Sequence, residues 1–155
     1  MNDPSRDTAG VIAPPPLIYA VPLLAGLGLQ HYWPRAVIPA AWAGLIGPLV
    51  TALGLIGLPA VLAFRRMGTP PEPWRPSTAL VLTGPYRFTR NPMYLGFTLL
   101  YLGISLWVNS LWPLLFLPLI LVVMVRGVIV REEAYLDRRF GDTYRTYRAT
   151  VRRWL

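Results

Sequence analysis

The sequence predicts an all-α membrane protein of about four transmembrane helices, with a cytoplasmic Pro-rich loop and a C-terminal amphipathic helix. Three observations predict it. Four long apolar runs are present, the arginines flank those runs, and one connection between them holds six prolines. Of the 155 residues, 54% are hydrophobic and 14% charged, against roughly 25% charged in an ordinary soluble domain. Such a chain hides its apolar surface in lipid.

The runs predict helices over about 17–33, 36–64, 93–108 and 111–133. A crossing needs about 20 apolar residues. The second run, Ala36 to Phe64, has no charge in 29 residues and is long enough to cross with tilt. The first and third need their flanks to reach across. The fourth is interrupted only by Arg126, and Asn109-Ser110 makes a tight turn before it. Within the second run, Ala40, Gly44, Gly47, Thr51 and Gly54 form a small-residue stripe on which another helix can pack closely.

Arginine counting predicts the orientation. Arg35 stands alone between the first two runs, five arginines lie between Arg65 and Arg90, seven lie from Arg131 onward, and the third turn has none. Basic segments stay cytoplasmic, so both termini and the central loop are expected on that side. The loop 65–92 carries Pro70, Pro71, Pro73, Pro76, Pro85 and Pro92 and is not expected to be helical; Thr78 to Thr83 suits an extended stretch. Connections of this length are commonly functional. In the segment 142–155, after a break at Gly141, Tyr144, Tyr147, Val151 and Trp154 recur at helical spacing between arginines, the pattern of a helix lying on a membrane surface.

Other function classes are excluded by composition. The net charge of +8 comes from arginines beside apolar runs, which argues against nucleic acid. There is no Cys and a single His, His31, so no metal site of the usual ligands is expected. The first sixteen residues, with Asp3, Arg6 and Asp7, lack the basic start and small-residue cleavage site of a signal peptide.

Two polar clusters fall on the predicted cytoplasmic side. One is Gly84-Pro-Tyr-Arg-Phe-Thr-Arg-Asn-Pro-Met-Tyr-Leu-Gly96, at the entry to the third helix. The other runs from Arg131-Glu132-Glu133 to Phe140-Gly141 and Tyr144, at the exit of the fourth. The third and fourth helices form a hairpin, so the clusters are expected to meet. Adjacent carboxylates at a helix exit suit a cationic ligand or pair with neighbouring arginines. Arg126 lies seven positions before Glu133, which on a regular helix places both on one face.

These segments resemble the signature of the membrane methyltransferases related to isoprenylcysteine carboxyl methyltransferase and the phospholipid methyltransferases. The matching residues are Leu80-Val81, Gly84, Tyr86, Arg90, Asn91-Pro92, Tyr94 and Gly96, then Glu132-Glu133, Phe140-Gly141 and Tyr144. The match covers about half the chain, from Thr78 to Trp154; the first two helices match only in hydrophobicity. The resemblance implies one methyltransferase domain over 1–155 that binds S-adenosylmethionine. The implied cofactor contacts are Thr78, Ala79, Leu80, Val81, Gly84, Tyr86, Asn91, Tyr94 and Glu132. A carboxylate such as Glu132 can hold the methionine ammonium, and tyrosine ring faces favour the sulfonium. The implied partner is a lipid or lipidated acceptor in the membrane, either an isoprenylcysteine carboxylate or a phospholipid amine, with no nucleic acid and no metal. Two residues depart from the pattern. Asn91 stands where the family has His, and Val128 stands where isoprenylcysteine enzymes carry an arginine for the substrate carboxylate. Arg126, Arg131 and Glu133 are then the candidate catalytic residues. Two alternatives stay open: a nicotinamide-dependent, sterol-type reductase, with Arg87, Arg90 and Arg131 for a second phosphate, and a small membrane transporter or scaffold.

Overall fold

The computed structural model describes residues 8–155, so the sequence reading of Asp3, Arg6 and Asp7 lies outside it. The described residues are helical, with no strand among them. The helices are α1 Pro15–Tyr32, α2 Ala40–Gly54, α3 Gly57–Arg66, α4 Pro92–Trp107, α5 Leu111–Met124 and α6 Val130–Thr150. A single π-helical turn, Val125–Ile129, joins α5 to α6, and a 3-10 turn, Gly84–Arg87, lies in the Pro-rich loop. Thr78 to Thr83, expected to run extended, belongs to no β-sheet.

The run expected as one helix over 36–64 is shorter at its start and broken within. It begins after Pro39, because the residue before a proline is pushed out of the helical region. The break falls at Leu55–Ile56. Pro59 has no N–H for the Leu55 carbonyl, which instead accepts from Leu58 at 2.9 Å. Taken together, Ala40–Arg66 is a 27-residue helical stretch long and apolar enough to cross a membrane, and so is Leu111–Thr150, which is kinked at Gly141. Pro92–Trp107 is a shorter apolar helix. Leu24, Leu45, Leu49 and Leu119 are each 59–67% exposed, an apolar surface that lipid covers and water does not.

Hydrogen bonds at the two ends show how the connections alternate. At one end, Asn109, with φ +50, accepts from the Val37 and Ile38 amides at 2.9 and 3.1 Å and donates to the Ile38 carbonyl at 2.8 Å. The α1–α2 and α4–α5 connections are therefore stapled together. At the other end, the Ile12 amide reaches the Gly127 carbonyl at 3.2 Å, and Arg131 donates to the Gly10 carbonyl at 2.8 Å. The N-terminal segment, the Pro-rich loop and α6 share that end.

α2 and α3 pack along α4 through a ladder of small residues. A Cβ added at Gly54 would lie 2.6 Å from Leu100 Cγ, and one at Gly96 would lie 2.9 Å from the Gly54 carbonyl oxygen. Gly47 meets the Trp107 backbone and Gly103 meets Thr51 just as closely. Close backbone approach is the main source of helix attraction in lipid, where apolar burial contributes little. Three of the five residues of the expected stripe, Gly47, Thr51 and Gly54, are used this way; Gly44 faces open space and Ala40 is exposed. On the other side, α1 packs along α5, with Gly26 against Pro113. A core of Tyr19, Tyr94, Tyr101, Ile120, Met124 and Val128 lies between α1, α4 and α5. Its phenols are satisfied: Tyr19 Oη lies 2.8 Å from Thr98 Oγ1, and Tyr101 donates to the Pro113 carbonyl at 2.7 Å.

Candidate active site

The Pro-rich loop is held against α6 by its own polar atoms. After the left-handed Gly68, Thr69 Oγ1 accepts from the Thr78 amide at 3.0 Å, and the Thr78 hydroxyl donates to the Gly68 carbonyl at 3.2 Å. The Ser77 amide donates to the buried Tyr135 hydroxyl of α6 at 2.9 Å, and Arg139 donates to the Ser77 carbonyl. Residues 77 and 78 are thus pinned at both ends, and Ala79 to Val81 pass along the wall of a cavity. Gly84, at φ +62, turns the chain into the 3-10 helix that delivers Tyr86, a conformation that glycine adopts without strain.

The cavity lies between this loop, the start of α4 and the first turns of α6. Glu132 and Glu133 enter it from α6, Arg90 and Tyr94 from the α4 side, and Tyr86 from the loop. Tyr94 donates to Glu132 Oε2 at 2.8 Å. Among the described residues no cation pairs with Glu132. Glu133 is different. Arg153 grips both its oxygens, through Nε at 2.9 Å and Nη2 at 2.7 Å, and Arg90 Nη1 lies 3.2 Å from Oε1. The Tyr86 ring packs on Phe64 at 5.4 Å between centroids, and its hydroxyl is buried without a partner among the described residues. Burial first, and then the negative charge of Glu132, push the Tyr86 phenol well above its ordinary range. Burial likewise raises Tyr144 and Tyr147. The cavity therefore presents neutral aromatic faces.

The expected juxtaposition of the two polar clusters is present. Of the residues singled out from the sequence, Ala79, Leu80, Val81, Tyr86, Asn91, Tyr94, Glu132 and Glu133 line this one cavity. Thr78 and Gly84 shape the loop without lining it. Arg126 and Arg131, expected beside Glu133, do not line it. Arg126 is exposed on the π turn, and Arg131 holds the Gly10 carbonyl. The i, i+7 spacing does not bring Arg126 beside Glu133 because a π turn inserts one extra residue, rotating everything after it by about 100° relative to a regular helix. Arg87, Arg90 and Arg131, the phosphate cluster required by the nicotinamide alternative, are not assembled, since only Arg90 reaches the cavity.

The tail also differs from its expected role. α6 is broken at Gly141 (φ 53°, ψ −126°), as its sequence suggests, but the aromatic face beyond the break does not lie free on a surface. Tyr144 and Tyr147 are buried and close the cavity, and Tyr147 donates to the Tyr86 carbonyl at 2.7 Å. The chain after α6 is then tied to the entry of α4. The Arg90 amide donates to the Arg152 carbonyl at 2.9 Å, while Thr89 Oγ1 and Asn91 Nδ2 both donate to the Arg153 carbonyl at 3.0 Å. Asn91 thus does a structural job at the cavity edge. Asn91→Ala is expected to cost about 1–2 kcal/mol and to free the tail, read as a lower melting temperature and faster tryptic cleavage after Arg152 and Arg153. Arg153 itself was not foreseen. Its only sequence signal was a basic residue within reach of the acidic pair once the tail folds back.

The fold and cavity define a class: a helical membrane protein with an acidic, tyrosine-lined pocket where its polar segments meet at one end. The phospholipid methyltransferase family model matches residues 42–143, and the chain belongs to that family. An uncharacterised protein of Haemophilus influenzae is 41% identical over 63 residues, 41% of this chain and the whole of that relative. The protein-S-isoprenylcysteine O-methyltransferase of Schizosaccharomyces pombe is 38% identical over 72 residues, 46% of this chain but only 30% of that enzyme. No solved structure matches.

Proposed function

We propose that this protein is an S-adenosylmethionine-dependent methyltransferase acting on a membrane-embedded, lipid-like acceptor. The observation that carries the reading is Glu132, a carboxylate facing the cavity with a tyrosine donor and no cation among the described residues. A buried carboxylate in that state suits a cationic ligand. The orphaned Tyr86 hydroxyl is a further polar group awaiting a partner. The residues fit the donor. Glu132 would hold its ammonium, the backbone of Ala79 to Val81 would hold its adenine, and the rings of Tyr86 and Tyr144 would favour its cationic sulfur. When bound, the cofactor supplies a methyl group made electrophilic by the positive sulfur. The chain's contribution is to bind, orient and exclude water, with Tyr144 and Tyr147 as the closing wall. Such a transfer needs little acid–base chemistry, which agrees with a site that has no histidine.

The acceptor class follows from the setting of the site, an end of an apolar bundle where loop and helix exits converge. Both an isoprenylcysteine carboxylate and a phospholipid amine satisfy it. In the topology that goes with this reading, α1, α2–α3, α4 and α5 each cross the bilayer, and both termini and the cavity face the cytoplasm. Purified protein incubated with a methyl-labelled donor and a mixture of membrane lipids and prenylated peptides is expected to label one of them, read by mass spectrometry. Absence of donor binding by calorimetry would overturn the reading.

A further inference from the structure

The charges at the cavity do not cancel in place. Glu133 is neutralised by the two-pronged grip of Arg153. Arg90 shares that carboxylate, so two arginine charges stand against one glutamate there, while Glu132, which also lines the cavity, has no cation among the described residues. Arg90 is only 11% exposed at its side chain, and its Nε and Nη1 atoms are buried without a hydrogen bond among the described residues. Nη1 makes an ion pair with Glu133 Oε1 at 3.2 Å, but Arg153 already grips both oxygens of that carboxylate, so two guanidinium charges share one glutamate. A guanidinium presents five donors in a rigid fork, and unmade donors are costly when buried. The wall therefore holds a guanidinium with two buried donors free of hydrogen bonds and one carboxylate with no cation, the pattern complementary to an α-amino-acid zwitterion.

We propose that Arg90 is the anion-binding residue of the pocket, receiving the α-carboxylate of the methyl donor's amino-acid end while Glu132 receives its ammonium. The assignment rests on the methyl-donor reading above and adds a second charged contact to it. Arg153 acts here as a positioning residue: by sharing Glu133 with Arg90 it leaves one guanidinium charge in excess, available to a ligand.

The test compares two ligands on the intact, detergent-solubilised protein by calorimetry: S-adenosylhomocysteine and its decarboxylated counterpart, which keeps the ammonium and loses the carboxylate. The parent is expected to bind the first roughly tenfold to a hundredfold more tightly, the range for a charge-assisted hydrogen-bonded pair. In Arg90→Gln the preference is expected to fall below about threefold. Arg90→Lys keeps a charge facing Glu133 but lacks the fork; it serves if the Gln variant does not fold, and it is expected to retain only part of the preference. Equal binding of both ligands by the parent overturns the carboxylate site while the methyl-donor reading stands. Binding of neither ligand overturns that reading, and this assignment with it. Full preference in a folded Arg90 variant moves the carboxylate to another residue.

Discussion

Glu132→Gln is expected to weaken binding of the methyl donor by about 30-fold or more, the loss of one desolvated charge–charge contact worth roughly 2–4 kcal/mol. The fold is expected to survive. Tyr94 keeps an acceptor, because the amide oxygen can take the place of Glu132 Oε2 in the 2.8 Å bond. No arginine loses its partner either, since the ion pairs of this region run through Glu133. The measurement is calorimetric affinity for S-adenosylhomocysteine beside the melting temperature in detergent. Unchanged affinity would place the ammonium elsewhere. Glu133→Gln makes the contrasting case. It strips Arg90 and Arg153 of their shared carboxylate, so stability is expected to fall together with affinity.

Gly103→Leu is expected to cost at least about 3 kcal/mol, the upper range for forcing side-chain volume into a packed contact. A Cβ at Gly103 already collides with the Thr51 backbone and side chain, lying 2.7 Å from Thr51 Cα. The collision is with backbone, so no rotamer change relieves it, and α4 must move away from α2. That movement carries Tyr94 and Arg90, at the other end of α4, away from the cavity. Gly44→Ala is the control. Nothing lies within 4 Å of a Cβ there, and replacing a helical glycine by alanine is neutral or favourable by up to about 1 kcal/mol. Thermal unfolding of the three proteins in one detergent checks both. A Gly103→Leu protein as stable as the parent would mean that the two helices are not in backbone contact.

Both glycines have the same local sequence character, which shows where sequence reading stops. The stripe through Gly47, Thr51 and Gly54 was legible because helical spacing puts small residues on one face. Which of them touch, and that Gly57 and Gly96 continue the ladder beyond the break at Leu55–Ile56, depends on how two helices cross. The break had a local cause in Pro59. The π turn did not: Arg126 and Gly127 within Val125–Ile129 do not by themselves specify a π turn, and the Gly127 carbonyl accepts from the Ile12 amide, far away in the chain. One extra residue there separates Arg126 from the glutamates that follow.

The site divides the same way. The Tyr86, Asn91 and Tyr94 segment and the Glu132-Glu133 pair were readable because their chemistry sits in two short, polar stretches bordering apolar runs, and a short hairpin brings such stretches together. The sequence by itself therefore determined the membrane class, the family and the two polar stretches that meet at the pocket. Only the tertiary structure decided which glutamate is free. Glu132 and Glu133 are chemically identical neighbours. Both line the cavity, and the difference between them is made by Arg153, twenty residues on, whose chain folds back to pair with one of them and leaves the other without a cation.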